Sequence, residues 1–224
     1  WKATVHPEQL ARIMVEREFG DSGISVVIEE RMSGPEVSVL AFCDGATVVL
    51  MPPARDHKRI GEGDTGPNTG GMGAFAPAPD VPQTLLDDVK ANVLQPIVDR
   101  MRARGTPYVG VLYAGLMLTP QGMRVLEFNC RFGDPETQVI LPLLDSDLVD
   151  VMLACVEGSL DRATVSWRAG TAATVVLAAP GYPGAYPKGS PIEGLAAVGA
   201  DVTVFHAGAT LCDGAPVTSG GRVL

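Results

Sequence analysis

The chain has 224 residues, of which 46% are hydrophobic and 19% are charged. This balance is typical of a globular protein and excludes a disordered chain. The 17 basic and 26 acidic side chains give a net charge of −9, which argues against nucleic acid as a partner. Apolar runs such as residues 48–51 and 140–144 are far too short to span a membrane, so we expect no membrane partner.

The cysteines stand at positions 43, 130, 155 and 212, without a CxxC pair or a histidine at zinc-site spacing. We therefore predict small, buried or half-buried free thiols in a reducing compartment. The chain opens on Trp1 and carries no signal-peptide pattern. We expect the natural N-terminus to lie further upstream and the protein to be cytoplasmic.

Hydrophobic periodicity predicts a mixture of helices and strands. Helices are predicted over residues 7–18, 82–104, 135–144 and 147–157. Pro96 should kink the second of them. Strands are predicted over residues 25–30, 36–43, 46–51, 109–119, 123–129, 172–178 and 202–206. Strand 36–43 is expected to point its serine outward, and Asp44-Gly45 to form a hairpin turn.

Residues 52–80 show neither a helix period nor a strand period. A loop of this length inside a compact domain is usually functional or disordered. Charged residues crowd its first part and glycines its second, which favours a ligand-binding loop over a linker. Residues 167–170 are predicted to form a boundary, because β-like segments and turns follow them.

The sequence around Glu127 carries the most specific chemistry. It reads Val-Leu-Glu-Phe-Asn-Cys-Arg-Phe-Gly-Asp-Pro-Glu over residues 125–136. On a strand, Glu127, Asn129 and Arg131 share one face, and Phe128 points the other way, into a core. Carboxylate and carboxamide oxygens are ligands that suit Mg²⁺, and arginine binds phosphate oxygens. The alternative is a solvent-exposed polar strand face.

A second candidate site begins at Asp56-His-Lys-Arg59 and continues through the glycines of residues 61–73. Glycines let backbone N–H groups approach an anion, and consecutive amides can form an anion-binding nest. Lys58 and Arg59 supply local positive charge. The segment lacks the G-x-x-x-x-G-K-[ST] pattern of a Walker A loop. A solvated surface loop is the alternative interpretation.

A third segment, residues 28–38, is weaker. Glu36 would accept hydrogen bonds from ribose hydroxyls, although an acidic strand end is the plainer interpretation. We expect His6 and His206 to have no catalytic role. No arrangement of Ser, His and Asp, or of Cys and His, is recognisable in the sequence, so a nucleophile-based hydrolase is not supported.

Three ordered segments together resemble one family, the phosphoribosylamine–glycine ligases, also called glycinamide ribonucleotide synthetases. They read PPARDHKR at residues 52–59, GPNTGGMGA at 66–74 and RFGDPETQVIL at 131–141. The resemblance runs from about residue 22 to the end. It implies an α+β fold: an ATP-grasp core with an antiparallel sheet and flanking helices, plus the first part of a β-rich C-terminal domain.

This family resemblance implies an ATP-dependent ligase of de novo purine biosynthesis. ATP would phosphorylate the glycine carboxylate, and the amine of 5-phosphoribosylamine would attack the acyl phosphate. The products would be glycinamide ribonucleotide, ADP and phosphate. ATP, glycine and 5-phosphoribosylamine are then the partners, with Mg²⁺ or Mn²⁺ as cofactor and the oligomeric state left open.

The motif match also assigns roles to residues. Glu127 and Asn129 are the implied metal ligands. Arg131, Lys58 and Asp134 are assigned to catalysis. Glu29, Glu30, Glu36 and Arg59 are assigned to the nucleotide. Asp56, Asn68, Thr69, Gly70, Gly71, Met72, Gly73 and Glu136 are assigned to the substrate side.

The sequence departs from the family pattern at both ends. The N-terminal domain with its substrate loop, and the lid with a lysine and a Gly-Lys-Gly flap, are not found before residue 25. We expect residues 1–24 to be a helical remnant of the lid, 25–168 the catalytic core and 169–224 a partial C-terminal domain. The alternative is a catalytically incomplete ATP-grasp fragment that acts as a nucleotide-binding or interaction module.

Overall fold

The computed structural model describes residues 7–17 and 20–224. The predictions for His6 and for the end of the first helix at Glu18 lie outside this range. The α-helices are α1 (Pro7–Met14), α2 (Gln83–Val89), α3 (Gln95–Ala103), α4 (Thr137–Ile140) and α5 (Leu148–Glu157). The strands are β1 (Glu36–Asp44), β2 (Val48–Leu50), β3 (Arg55–Asp56), β4 (Arg59–Gly61), β5 (Thr65–Asn68), β6 (Gly73–Ala76), β7 (Val109–Thr119), β8 (Gly122–Asn129), β9 (Ala172–Val175), β10 (Ala209–Cys212) and β11 (Ala215–Thr218).

The centre of the fold is a four-stranded antiparallel sheet in the order β2-β1-β7-β8. Its two hairpins confirm the strands predicted over residues 36–51 and 109–129. Strand β1 is buried along almost its whole length. The expectation that Ser38 points outward is wrong, since this serine is only 2% exposed. Helices cover both faces of the sheet, which removes the polar face that simple alternation assumes.

Two hydrophobic clusters pack against the opposite faces of this sheet. One joins alternate β1 residues such as Val39 to Val89 and Val98 of α2 and α3. The other joins Leu40 to Ile140 of α4 and Val151 of α5. Alternation along β1 therefore divides its side chains between two cores rather than between a core and solvent.

Side-chain caps fix the ends of several elements. Asp44 Oδ1 accepts the backbone N–H groups of Ala46 and Thr47, which closes the predicted β1–β2 turn. Asp147, at the start of the helix predicted over 147–157, accepts a hydrogen bond from the N–H group of Val149 at 2.7 Å and so caps α5. The helix ends at Gly158, whose φ of 67° is in the left-handed region.

The predicted helix over residues 82–104 is interrupted by a π-helical segment, Lys90–Leu94. Pro96 explains the position, because it has no N–H group to donate and its ring disturbs the preceding turn. The predicted helix over 135–144 is likewise split into α4 and a 3₁₀ turn, Leu141–Leu143. Pro142 again interrupts the α-helical hydrogen bonds.

Two strand predictions and one loop prediction fail. Residues 25–30 and 202–206 form no strand, and Val27 is 85% exposed. A strand-prone run becomes a strand only where a neighbouring strand satisfies its backbone groups. Conversely, residues 52–80, predicted as one irregular loop, contain the four short strands β3 to β6. Their pairing partners are distant or glycine-rich, so no periodicity marks them.

The first strand of the C-terminal region joins a sheet formed by residues from earlier in the sequence. Strand β9 pairs antiparallel with β6, and β6 pairs with β3. Strands β10 and β11 form a separate hairpin. The first strand after the predicted boundary at residues 167–170 is therefore hydrogen-bonded directly to the glycine-rich segment.

The four cysteines are free. Cys43 and Cys155 are buried, and burial raises the pKa of the Cys43 thiol to about 12. Cys130 and Cys212 are exposed, which corrects the expectation that all are buried or half-buried. Within residues 7–17 and 20–224, none of the helices combines the length and apolar character that crossing a membrane requires.

Candidate active site

Strand β8 places Glu127 and Asn129 on one face of the central sheet. Glu127 lies opposite Gly115 and Asn129 lies opposite Tyr113 on β7. Gly115 in turn lies opposite Ser38 on β1. Residues directly opposite each other project to the same face. The predicted metal ligands therefore share a face with Ser38 and Tyr113.

A β-bulge sets this orientation. Leu116 pairs with Val125, but Gly115 pairs with Glu127, so Leu126 is the additional residue of β8. Without it, alternation would place Glu127 on the same face as Val125. The bulge sends Val125 toward α3 and Glu127 toward the opposite face. A Cβ atom on Gly115 would lie 3.2 Å from Cγ of Glu127, so glycine leaves room for this carboxylate.

Two details of the predicted Glu127 segment need correction. Phe128 faces the helix side, but it lies near the open edge of the sheet and is 39% exposed rather than buried. Strand β8 ends at Asn129, so strand alternation does not extend to Arg131. The Arg131 side chain is exposed, and its Nη1 donates to the carbonyl oxygen of Phe132 at 2.9 Å.

Lys58 stands at the centre of a group of carboxylates. Its Nζ donates to Oε2 of Glu36 and lies 3.6 Å from Oδ2 of Asp56. The Asp56 side chain is only 4% exposed. The structure thus brings together Glu36 from the start of β1, Asp56 from β3 and Lys58 from the segment that follows β3, which we call the Lys58 group.

The ionisation of this group is coupled. Burial favours the neutral form of Lys58, but Asp56, Glu36 and Glu127 outweigh it and hold the pKa of the ammonium above its ordinary value. Burial raises the pKa of Asp56 against the opposing effect of Lys58, and the negative charges of Glu136 and Glu36 raise it further. The positive charge of Lys58 therefore interacts with the negative charges of several carboxylates at once.

Glu136 is buried beside this group and is held by two hydroxyl groups. Its Oε1 accepts hydrogen bonds from Ser38 Oγ at 3.1 Å and from Tyr113 Oη at 2.8 Å. Burial, followed by the charge of Glu136, raises the pKa of Tyr113, so this hydroxyl remains a donor. A Cβ atom on Gly133 would lie 2.3 Å from Glu136 Oε2. Glu136 therefore anchors the turn before α4 to β1 and β7.

The glycine-rich loop does not form the expected nest of free amides. The N–H groups of Thr69 and Met72 donate to the carbonyl oxygens of Lys58 and His57. Those of Gly70 and Gly71 donate to Tyr182 Oη and Thr69 Oγ1. These four consecutive N–H groups already have acceptors within the protein. Their hydrogen bonds therefore stabilise the loop and are not free to bind an anion. Gly73 belongs to β6, where a Cβ atom would lie 2.6 Å from the carbonyl oxygen of Thr174.

Asp134 is bound to residues outside the Lys58 group. Its Oδ2 accepts Arg222 Nη2 at 3.0 Å, and its Oδ1 accepts Gln138 Nε2 at 2.9 Å. Arg59, on β4, donates from Nη1 to the carbonyl oxygen of Gly66 at 2.7 Å. Asn68 pairs with Arg59 across the β4–β5 ladder. These contacts order the loop around the candidate site.

The residues predicted to bind the nucleotide do not lie in one place. Glu29 and Glu30 are exposed and lie in a segment without regular structure. Glu36 instead opens β1 and accepts Lys58. Sequence reasoning missed Ser38, Tyr113, Tyr182 and Arg222. A serine within an apolar strand was the available signal for Ser38, whereas the partners of Tyr182 and Arg222 lie more than 80 residues away.

Comparison with known proteins identifies the family. The sequence model of the phosphoribosylglycinamide synthetase ATP-grasp (A) domain matches residues 3–137. The model of the C domain of the same synthetase matches residues 172–224. The two matches follow each other along the chain and together include the residues of the Lys58 group and Arg222.

Relatives and a solved structure agree with these matches. The phosphoribosylamine–glycine ligase of Synechocystis sp. is 56% identical over 211 residues, which cover 92% of this chain and 50% of that protein. The trifunctional purine biosynthetic protein adenosine-3 of Gallus gallus is 57% identical over 214 residues, covering 95% of this chain and 21% of that protein. The crystal structure of the phosphoribosylamine–glycine ligase of Thermotoga maritima gives a TM-score of 0.77 at 38% identity, covering 87% of this chain and 48% of that chain.

The chain thus spans between a fifth and a half of the length of these proteins. The A-domain model alone matches more than half of the chain. The antiparallel sheet with helices on both faces, continued by strands of the C-terminal region, agrees with the predicted α+β architecture. The chain belongs to the phosphoribosylglycinamide synthetase family and has its ATP-grasp fold.

Proposed function

We propose that this chain is part of an ATP-dependent ligase that joins glycine to 5-phosphoribosylamine through a glycyl phosphate. The products would be glycinamide ribonucleotide, ADP and phosphate. The observation that carries the proposal is that Lys58, from the family segment at residues 52–59, is ion-paired with Glu36 and Asp56, while the negative charge of Glu127, the implied metal ligand, helps to raise its pKa. Relatives named phosphoribosylamine–glycine ligase, at 56% and 51% identity, support it.

The proposed ligase uses ATP and a divalent metal, either Mg²⁺ or Mn²⁺. Glu127 and Asn129 would hold the metal, since both offer hard oxygen donors on the same face of β8. Within the described residues, no three His, Cys, Asp or Glu side chains converge on a metal position. Two protein ligands fit Mg²⁺, which usually keeps waters and binds substrate phosphates. A bound cation would neutralise charge on the phosphoryl oxygens.

The chain's own cations would add to this neutralisation. We infer that Lys58 faces the transferring phosphoryl group, because Glu36 and Asp56 hold its ammonium and its raised pKa, to which the charge of Glu127 contributes, keeps it charged over the neutral range. Fixed charges help most when they need no rearrangement as the reaction proceeds. Glu36 and Asp56 would hold this ammonium in place before substrates bind.

The remaining assignments are proposals from the family match. Arg131 and Asp134 would assist catalysis. Glu29, Glu30, Glu36 and Arg59 would contact the nucleotide. Asp56, Asn68, Thr69, Gly70, Gly71, Met72, Gly73 and Glu136 would line the substrate side, with Glu136 acting from its buried position. We propose residues 25–168 as the catalytic core, 1–24 as part of the lid, 169–224 as part of the C-terminal domain, and a cytoplasmic location.

Glu127→Ala tests the metal site. Titration with Mn²⁺ in the presence of ATP, followed by electron paramagnetic resonance, measures metal binding directly. We expect Glu127→Ala to weaken binding by about tenfold or more, since loss of one charged ligand removes at least ~1.4 kcal/mol. Glu157→Ala is the control, because Glu157 is exposed at the end of α5. Equal Mn²⁺ affinity in both variants would contradict the assignment.

Turnover tests the reaction. In the full-length protein that contains this chain, ADP release should require both glycine and 5-phosphoribosylamine, and it should be lost in Glu127→Ala but kept in Glu157→Ala. Binding of Mn²⁺·ATP without any glycine-dependent ADP release would overturn the ligase proposal. That outcome would favour a nucleotide-binding module instead.

A further inference from the structure

Both backbone polar groups of Gly70 are bound by residues from the C-terminal region. The N–H group donates to Tyr182 Oη at 3.1 Å. The carbonyl oxygen accepts Arg222 Nη1 at 2.9 Å. The glycine-rich loop is therefore held at its centre by side chains that lie 112 and 152 positions further along the chain.

Arg222 also binds the turn before α4. Its Nη1 donates to the carbonyl oxygen of Asp134 at 3.1 Å, and its Nη2 donates to Asp134 Oδ2 at 3.0 Å. The guanidinium fork suits this set of acceptors, which an ammonium group could not reach together. The Arg222 side chain is only 22% exposed. A Cβ atom on Gly70 would lie 3.0 Å from Cζ of Arg222. The glycine therefore lets the Arg222 side chain approach the loop closely.

The same loop holds the backbone of Lys58. The residue before Gly70 is Thr69, whose N–H and Oγ1 both donate to the carbonyl oxygen of Lys58, at 2.6 and 2.7 Å. Met72 donates its N–H to the carbonyl oxygen of His57 at 2.7 Å. Short hydrogen bonds therefore connect the C-terminal region to the backbone that carries the Lys58 ammonium.

We propose that Arg222 and Tyr182 are positioning residues of the ligase: they fix loop residues 69–72 and, through Thr69, hold Lys58 against Glu36 and Asp56. This inference rests on the proposed function, since it is Lys58 in the ligase reaction that they position. They act through the loop and need not touch a substrate. The alternative is that Arg222 and Tyr182 only stabilise the contact between two parts of the fold. In that case their removal would lower stability without changing the environment of Lys58.

Arg222→Met and Tyr182→Phe test this inference on the full chain. Arg222→Met removes the guanidinium but keeps much of the side-chain length, and Tyr182→Phe removes a single hydroxyl. Arg168→Met is the matched control, because Arg168 makes an exposed ion pair with Asp145 at 3.1 Å. Far-UV circular dichroism and thermal unfolding identify any variant that fails to fold.

Two measurements follow the proposed connection. Amide hydrogen exchange reports on the loop, and labelling with an amine-reactive reagent at a single pH reports on Lys58, with Lys90 and Lys188 as internal references. For Arg222→Met we expect exchange in residues 69–72 and labelling of Lys58 to rise roughly tenfold, the factor that corresponds to losing one charge-assisted hydrogen bond. Tyr182→Phe should change both in the same direction by less, and Arg168→Met should change neither.

The inference is overturned if exchange in the loop rises while the labelling of Lys58 stays at the wild-type rate. It is also overturned if Lys58, Lys90 and Lys188 all change together, because that pattern indicates general destabilisation. Arg222→Lys should recover only part of the wild-type behaviour, since lysine keeps the charge and loses the fork. None of these measurements depends on turnover, so their failure is distinguishable from failure of the proposed ligase activity.

Discussion

At the scale of single residues, the candidate site is defined by an imbalance of charge. Lys58 forms ion pairs with Glu36 and Asp56. The charge of Glu127 also raises the pKa of Lys58, and the charge of Glu136 raises the pKa of Asp56. Breaking a buried ion pair costs more than forming it gains, because the remaining charge is left without a partner. Lys58 is therefore important for the stability of the site as well as for its proposed chemistry.

Lys58→Met should lower the free energy of unfolding at pH 7 by about 1–3 kcal/mol, the cost of leaving a buried partner unsatisfied. The pKa of Lys58 is raised in the folded state, so its stabilising effect is complete below its ordinary pKa of 10.5 and is lost as the pH rises through the folded value. The difference between wild type and variant should therefore narrow above pH 10.5. Urea unfolding at pH 7 and at higher pH measures it.

The double variant Lys58→Met with Asp56→Asn is the control for that prediction. The second change removes the carboxylate left unpaired by the first, so it should restore part of the lost stability. A double variant that loses the sum of the two single effects would show that the pair is not coupled.

At the scale of elements, the site depends on irregularities that a periodic pattern does not reveal. The bulge at Leu126 turns Glu127 to the face of Ser38. The short strands β3 to β6 convert a predicted loop into an ordered support. The sequence indicated which segments matter, because their charged residues and glycines stand out. It did not indicate how they are held, because their hydrogen-bond partners are distant.

Gly71 illustrates how tightly these segments interlock. Its φ is +111°, and a Cβ atom there would lie 2.5 Å from Pro135 Cδ. Gly71→Ala should lower the free energy of unfolding by about 2–4 kcal/mol, since backbone strain and a steric clash add together. The control Gly63→Ala also has a positive φ of +65°, but nothing lies within 4 Å of its Cβ position. It should cost only about 1–2 kcal/mol.

Urea unfolding of the two glycine variants separates strain from contact. Equal losses of stability would mean that Pro135 moves aside at little cost. Such a result would contradict close packing between the glycine-rich loop and the turn before α4.

At the scale of the whole molecule, the two matched regions share hydrogen bonds. Strand β9 is paired with β6, and Arg222 joins Gly70 to Asp134. We therefore expect one cooperative unfolding transition for the chain rather than two. Unfolding of the core would remove the partner strand of β9, and backbone groups that lose their partners are costly to leave unsatisfied.

The test compares two probes in urea. Trp167 lies in the cluster of α4 and α5, and a Trp1→Phe background makes it the sole fluorescent tryptophan. Its fluorescence and the far-UV circular dichroism should change with the same midpoint. Separate midpoints would show that residues 172–224 unfold independently of the core.

The sequence by itself determined the family, the main hairpins and the residues that carry charge. These follow from local information: ordered motifs, alternating apolar positions and the turn residues Asp44 and Gly45. Only the tertiary structure decided which of those charges meet, that Ser38 and Tyr113 hold Glu136, and that Arg222 and Tyr182 hold Gly70. The physical reason is that hydrogen bonds and burial depend on proximity in space, which chain closure over many residues creates and local periodicity does not encode.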